Sequence, residues 1–156
     1  MSRWPGRSKQ AKTTFGGLSR SALMSRIRSS LNATTELKLL SLLRAARLKG
    51  WRRNYPLPGK PDFTFPKSKL VVFVDGCFWH GCPIHETKPK SNRVFWNRKL
   101  SGNKKRDRMV TRTLRKTGWR VLRIWEHQLA RKNEPRLIRC IQCALNRPLR
   151  KPNKTR

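Results

Sequence analysis

This sequence has few acidic residues and no long apolar run. Its 156 residues include 7 Asp and Glu but 39 Lys and Arg, which gives a formal charge of +32. No stretch approaches the roughly 18 apolar residues of a membrane span. The first twenty residues also lack the continuous apolar segment of a secretory signal. We therefore expect neither a membrane protein nor a secreted one, and predict a cytoplasmic protein.

The charge excess favours a polyanionic partner, because each Lys or Arg that contacts a phosphate releases a condensed counterion. A simpler alternative is a ribosomal-type binder or a solvated basic surface. The hydrophobic fraction of 36%, with 6 Trp and 6 Phe, argues against a chain that is disordered throughout. The 4 cysteines, without a secretory signal, indicate thiols or metal ligands rather than disulfides.

The pattern of apolar and helix-breaking residues predicts one folded domain at 21–146, between a basic flexible arm at 1–20 and a basic tail at 147–156. The predicted elements are helices at 21–30 and 34–48, strands at 51–55, 63–65 and 70–74, a helix at 91–116, a strand at 119–125 and a helix at 135–146. This order predicts an α/β fold, in which helices flank a small mixed sheet.

Two of the few carboxylates flank a predicted hairpin. Its strands lie at 63–65 and 70–74, and a short turn pairs residues whose numbers sum to about 135. Asp62 then lies beside the backbone of Val74 and Asp75, at one end of the hairpin. Mg²⁺ prefers carboxylate and carbonyl oxygens, and it activates water and offsets the charge of a phosphate. The sequence therefore predicts a magnesium site at this end.

The stretch at 58–85 also holds two of the 3 histidines and two of the 4 cysteines. Carboxylates beside His and Cys in so basic a chain favour a protein that cuts nucleic acid over one that only coats it. The alternative interpretation makes Asp62 a turn residue after Pro61, and Asp75 a surface acid paired with Lys60.

Further motifs stand in order along the chain. They are MSRIR at 24–28, PGKPDF at 58–63, VDGCFWHGCP at 74–83, FW at 95–96 and GWRVLRIWEH at 118–127. With them, the chain resembles the very-short-patch-repair DNA mismatch endonucleases from about residue 20 to residue 129. The resemblance implies a restriction-endonuclease-like α/β fold with one structural zinc site. It also implies an enzyme that nicks the thymine strand at T:G mismatches left by deamination of 5-methylcytosine.

The resemblance assigns roles to single residues. Asp62 matches the carboxylate that holds a catalytic Mg²⁺, with the Val74 carbonyl as a second protein ligand. His80 matches a histidine that helps to activate the attacking water, a task that suits an imidazole. Glu36 matches an acid that supports the site from the first helix, or else it only stabilises the helix dipole. A family histidine stands where this chain has Asp75, so Asp75 is a catalytic candidate that either protonates the leaving group or joins the metal shell.

Cysteines and histidines form a second candidate site, with the types and spacing of a tetrahedral zinc set. The candidate ligands are Cys77, Cys82, His85 and His127. The corresponding family positions form a structural zinc site that takes no part in the chemistry. A rival set replaces the two histidines with Cys140 and Cys143. Because helical spacing turns that pair toward an apolar face, buried thiols explain it, and we favour the histidines.

Aromatic side chains are the expected DNA contacts. Phe78 and Trp79 lie on a loop between predicted metal ligands, where they are poorly placed to be core. Apolar wedges that part a base step cost least where a mismatch already weakens stacking. The resemblance implies that Phe78, Trp79 and Trp96 intercalate beside the mismatch. The basic run at 97–108 offers phosphate contacts, with Asp107 as an intrahelical partner of the neighbouring cations.

The sequence thus predicts a monomeric, Mg²⁺-dependent DNA endonuclease with one structural zinc. Its expected partner is double-stranded DNA with a T:G mismatch. Mismatch-repair proteins and a cognate cytosine-5 methyltransferase are further expected partners. Two rivals are open: a restriction-type endonuclease on the same fold that cuts both strands, and a non-catalytic, zinc-stabilised nucleic-acid-binding protein.

Overall fold

The computed structural model describes residues 35–85 and 92–148. The predicted arm at 1–20, the predicted helix at 21–30 and most of the predicted tail at 147–156 lie outside the described residues. Within the described ranges, no helix combines the length and the apolar composition that are needed to cross a membrane.

The described helices and strands are α1 at 35–45, β1 Phe63–Phe65, β2 Leu70–Asp75, α2 Cys77–His80, α3 Arg93–Lys116, β3 Arg120–Trp125 and α4 Glu134–Asn146. Two short 3₁₀ helices, Glu126–Leu129 and Arg131–Asn133, join β3 to α4. The elements form a small mixed sheet flanked by helices, as the sequence predicted.

β1 and β2 form the predicted hairpin in the predicted register. Phe63 pairs with Val72 and Phe65 with Leu70 in antiparallel orientation, so the numbers of each pair sum to 135. A hydrogen bond from the Lys69 N–H to the carbonyl of Pro66, at 3.1 Å, closes the turn. This register brings the residue before β1 to the end of β2.

The strand predicted at 51–55 is wrong. Arg52 forms an isolated bridge to Thr64, in which the Arg52 N–H donates at 2.7 Å and the Thr64 N–H donates back at 2.8 Å. Pairing stops there because Asn54 has a φ of 51°, in the left-handed region. Pro56 then has no N–H to offer to a neighbouring strand.

β3 pairs with β2 in parallel, which completes a three-stranded sheet of order β1-β2-β3. Phe73 lies opposite Arg123, and Asp75 lies opposite Trp125. A parallel pair needs a long crossover, and α3 lies within that connection. The carboxyl ends of β2 and β3 therefore meet at one edge, and the segments that follow both strands start there.

The sheet is buried on both faces. Leu70 and Val72 face a core that α1 and α4 complete, with Leu43 and Ile141 among its buried members. Val71 and Phe73 belong to a second buried cluster, which Leu114 of α3 completes. Covering on both faces explains why β2 is a continuous apolar run in the sequence.

Gly59 lies close to α3 with a φ of 79°, and a Cβ built on it would overlap the Val110 side chain. We predict that Gly59→Ala lowers the free energy of unfolding by about 2 to 4 kcal/mol, as the sum of left-handed strain and overpacking. Gly50→Ala is the matched control, since Gly50 has a φ of 83° and nothing within 4 Å of its Cβ position. It should lose only the strain part, about 1 kcal/mol.

Urea unfolding of both variants measures this difference. Val110→Ala, added to Gly59→Ala, should recover part of the loss. Equal destabilisation by the two glycine substitutions would contradict the close approach of Gly59 to Val110.

Candidate active site and metal centre

The end of the hairpin brings Asp62 and Val74 together. The Val74 N–H donates to Oδ2 of Asp62 at 2.7 Å. If the register of β1 and β2 is continued, Val74 lies opposite Pro61. A proline has no N–H, so this segment offers no donor to the Val74 carbonyl. A carboxylate and a carbonyl without a donor from the facing chain are hard oxygen ligands of the kind that Mg²⁺ takes.

Glu36 of α1 reaches the same place. Its Oε2 accepts a hydrogen bond from Arg53 at 2.6 Å, and its charge acts on Asp62. The pKa of Asp62 is raised to about 7, mainly by burial; Glu36 and Asp75 contribute to this rise, and the hydrogen bond from the Val74 N–H opposes it. Carboxylates crowded in this way favour a bound cation, because a cation offsets their repulsion. The residues present therefore fit a Mg²⁺ site, with Glu36 beside it.

His80 ends α2 and points toward α3. Its Nδ1 lies 2.6 Å from Oδ2 of Asp107 and 3.6 Å from Oδ1 of Asp75. The carboxylate of Asp107 therefore has a partner outside α3, which the interpretation as an intrahelical ion pair did not include. The sequence did carry a signal for this role, since Asp107 is the one acid in the 24 residues of α3.

Asp75 is neither a surface acid nor a partner of Lys60, so that alternative is wrong. The residue is 3% exposed. Its carboxylate accepts two hydrogen bonds from Arg123, from Nε at 2.5 Å and from Nη2 at 2.6 Å. Sequence reasoning missed Arg123 altogether. The sequence did contain a clue, because Arg123 is flanked by apolar residues in β3, and a cation at such a position needs a charged partner.

Four side chains converge into the predicted zinc set. The candidate ligand atoms of Cys77, Cys82, His85 and His127 all lie within 4.8 Å of one another. Nδ1 of His127 is 3.3 Å from the Cys77 sulfur and 3.6 Å from the Cys82 sulfur, and Nδ1 of His85 is 3.9 Å from the Cys82 sulfur. Tetrahedral Zn²⁺ with ordinary bond lengths separates sulfur and nitrogen ligands by about 3.6 Å. The four residues therefore fit zinc.

Local structure explains the convergence. α2 is a single turn, and Gly81 ends it with a φ of 65°. The Cys82 N–H then donates to the Cys77 carbonyl at 2.9 Å, which closes the loop between the two cysteines. His127 follows β3, and Asn133 holds its carbonyl at 3.0 Å. Zinc bound here would join the loop after β2 to the segment after β3.

The rival cysteine pair is not part of this cluster. Cys140 and Cys143 lie on α4, and both are exposed, so the interpretation as buried thiols is wrong as well. The buried face of α4 is formed by Leu137 and Ile141, which are 5% and 0% exposed. Because Cys140 is three residues from Leu137, it lies to the side of that face.

The predicted DNA-contacting aromatics form one cluster. The Phe78 ring lies 4.9 Å from that of Trp79 and 5.4 Å from that of Trp96, and the two Trp rings are 5.9 Å apart. Phe95 extends the cluster at 5.3 Å from Trp96 and is 53% exposed. Asn103 of α3 donates to the Trp79 carbonyl at 2.9 Å, which ties α2 to α3. A partly exposed aromatic cluster thus lies next to the histidine of the candidate site.

The chain is similar in sequence to proteins of a known family. Residues 14–86 match the model of the DNA mismatch endonuclease Vsr. Type II nicking enzyme V.XorIIP of Xanthomonas oryzae pv. oryzae (strain KACC10331 / KXO85) is 39% identical over 110 residues, which cover 69% of this chain and 79% of that protein. The chain belongs to the Vsr family. This membership confirms the resemblance seen in the sequence and the prediction of an endonuclease.

Two other Vsr-like relatives match shorter parts. DNA mismatch endonuclease Vsr of Escherichia coli (strain K12) is 39% identical over 92 residues, 58% of this chain and 59% of that protein. Type II nicking enzyme V.NaeI of Lentzea aerocolonigenes is 52% identical over 69 residues, 44% of this chain. The chain spans only 42% of the length of V.NaeI.

The cluster makes a prediction about metal content. Cys82→Ala should lower bound zinc from about one equivalent per chain to nearly none, because three ligands hold a structural zinc poorly. The thermal midpoint should fall with it. Cys140→Ala is the matched control and should keep both. Elemental analysis of the purified variants measures the zinc, and full zinc retention by Cys82→Ala would contradict this ligand set.

Proposed function

We propose that this protein is a Mg²⁺-dependent endonuclease that nicks the thymine strand of a T:G mismatch in double-stranded DNA. The observation that carries the proposal is the pair formed by His80 and Asp107 at 2.6 Å, next to Asp75 and at the sheet edge where Asp62 lies. An imidazole that is oriented by a carboxylate can act as a general base. Beside oxygen ligands for a divalent cation, it provides the groups that metal-assisted hydrolysis needs.

The pairing determines which nitrogen of His80 acts. Asp107 accepts a hydrogen bond from the protonated Nδ1, so the lone pair of a neutral imidazole lies on Nε2. Nε2 then takes a proton from the water whose oxygen bonds to the phosphorus. The P–O bond to the leaving part of the strand breaks, and solvent water protonates the leaving oxygen. Asp107 orients the ring and stabilises the imidazolium that forms, as a carboxylate does for a catalytic histidine elsewhere.

The remaining residues hold the substrate and the metals. Asp62 and the Val74 carbonyl would hold Mg²⁺, with Glu36 beside them. When bound, Mg²⁺ supplies positive charge to the scissile phosphate and acidity to water. The zinc set would be structural. The aromatic cluster of Phe78, Trp79 and Trp96 would part the bases at the mismatch, where stacking is already weak.

The proposed partners follow from this activity. They are mismatched duplex DNA, mismatch-repair proteins and a cytosine-5 methyltransferase whose product deaminates to the mismatch. We propose that the chain acts as a monomer in the cytoplasm. The relatives named nicking enzymes favour cleavage of one strand over the double-strand cut of a restriction-type enzyme.

A nicking assay tests the reaction. Duplexes labelled on each strand, with one T:G mismatch in varied contexts or with matched pairs, are incubated with Mg²⁺ or with EDTA. We expect one Mg²⁺-dependent cut beside the thymine and none on matched DNA. Asp62→Asn and His80→Gln should slow it by about 10²- to 10⁴-fold, the usual contribution of general-base or metal-supporting groups.

The control for this assay is Glu134→Gln, which removes an acid at the start of α4, away from the site. It should cut at the wild-type rate. Cleavage of both strands would favour the restriction-type rival. Binding without any cleavage, equal in wild type and Asp62→Asn, would favour the non-catalytic rival and end this proposal.

The aromatic cluster makes a separate prediction about recognition. Trp79→Ala should weaken binding to T:G duplex about 10- to 100-fold, because a base stacked on an aromatic ring contributes about 1 to 3 kcal/mol. Binding to matched duplex should change much less. Leu37→Ala is the control, since Leu37 is 54% exposed but lies on α1 outside the cluster. Fluorescence anisotropy with both duplexes measures the ratio, and an equal loss on both would contradict a wedge at the mismatch.

A further inference from the structure

We propose that Arg123 is a positioning residue, which works with Asp75 to hold the Asp107 carboxylate in the orientation that accepts a hydrogen bond from Nδ1–H of His80. Asp75 is then the counter-anion of Arg123, and neither a proton donor nor a metal ligand. The catalytic part of this inference rests on the proposed function, whereas its geometric part can be tested without any cleavage.

The guanidinium of Arg123 is committed to two carboxylates. Nε and Nη2 form a two-pronged pair with Asp75 at 2.5 and 2.6 Å, and Nη2 also lies 3.1 Å from Oδ1 of Asp107. A planar guanidinium that binds both oxygens of a carboxylate has its plane defined by that pair. The direction of its contact to the Asp107 carboxylate is then fixed as well.

The strand register delivers Arg123 to this place. Arg123 lies opposite Phe73 in the parallel pair, and its guanidinium carbon is 5.0 Å above the centre of the Phe73 ring. Asp75 is two residues further along β2, on the same face of the sheet. The Phe73 ring contacts one face of the guanidinium, and the Asp75 carboxylate contacts its N–H groups, so the guanidinium is held from two sides.

The two oxygens of the Asp107 carboxylate contact different residues. Oδ1 accepts from Arg123, and Oδ2 lies 2.6 Å from Nδ1 of His80. A carboxylate without a partner on Oδ1 can turn about its side-chain bonds and present either oxygen, or neither, to the imidazole. With Oδ1 held, Oδ2 is aimed at His80. The chain of contacts thus runs from Asp75 through Arg123 and Asp107 to the base.

The same contacts explain why Asp75 is unsuited to the other roles. Both of its oxygens accept short hydrogen bonds from a cation that stays charged. As a proton donor Asp75 would need an oxygen facing the leaving group, but the guanidinium occupies both of its oxygens. Coordination of a metal ion by Asp75 would place a second cation beside the guanidinium.

The test separates positioning from simple stabilisation. Arg123→Met alone leaves the buried charge of Asp75 unpaired, so it should lower stability whatever else Arg123 does. The decisive variant is the double substitution Arg123→Met with Asp75→Leu, which removes both charges and often restores stability. We expect a urea midpoint close to that of the wild type, but a single-turnover nicking rate at saturating DNA that is about 10- to 100-fold lower.

Two companion variants sharpen the assay. Arg123→Lys keeps the charge but lacks the fork that reaches both carboxylates, so it should not restore the rate. Arg112→Met removes a cation from the same groove beside Asp107 without removing a contact to either carboxylate. Its rate at saturating DNA should stay within about twofold of the wild type, since no positioning contact is lost.

The imidazole N–H signal gives a readout that needs no activity. The proton on Nδ1 of His80, assigned by its loss in His80→Gln, should resonate far downfield in the wild type. It should shift or vanish in the double variant. A double variant with the wild-type midpoint, rate and His80 signal would overturn the proposal, as would a changed signal with an unchanged rate. If the wild type cuts no DNA, the proposed function fails, and the signal alone decides whether Arg123 positions Asp107.

Discussion

The parallel pairing of β2 with β3 is the constraint on which both candidate sites depend. Because the two strands run in one direction, the segments that follow them start at the same edge of the sheet. The segment after β2 carries Cys77, His80 and Cys82, and the segment after β3 carries His127. An antiparallel β3 would place His127 at the far edge, out of reach of the cysteines. The pairing also brings Arg123 within reach of Asp75.

Four of the few carboxylates lie close together rather than dispersed through the structure. The chain has 7 acids among a large excess of cations, yet Glu36, Asp62, Asp75 and Asp107 lie around one end of the sheet. Three of them are paired with arginines: Glu36 with Arg53, and both Asp75 and Asp107 with Arg123. A basic surface attracts the phosphate backbone from a distance, whereas an acidic centre attracts a divalent cation. The arrangement suits a protein in which metal and phosphate must meet at the same point.

A single helical turn separates the two candidate metal sites. α2 begins at Cys77 and ends at His80, and Cys82 follows after Gly81. The cysteines face His127, whereas His80 faces Asp107 on α3 and the aromatic rings lie against Trp96. A metal that held Cys77 and Cys82 would therefore hold the base and the aromatic cluster in place without touching either.

Features that depend on neighbours along the chain or on residue chemistry could be predicted from the sequence. The hairpin register followed from the length of one turn, the buried strand from a continuous apolar run, and the cluster of cysteines and histidines from the types and spacing of its residues. Contacts between residues that are distant in the sequence depended on the tertiary structure. The strand predicted at 51–55 is interrupted at Asn54, which has a left-handed φ, and Asp107 reaches His80 outside its own helix. Arg123 joined Asp75 because a parallel register set them side by side. Periodicity along a chain reports which face of an element is buried, but the partner across that face depends on how the elements pack.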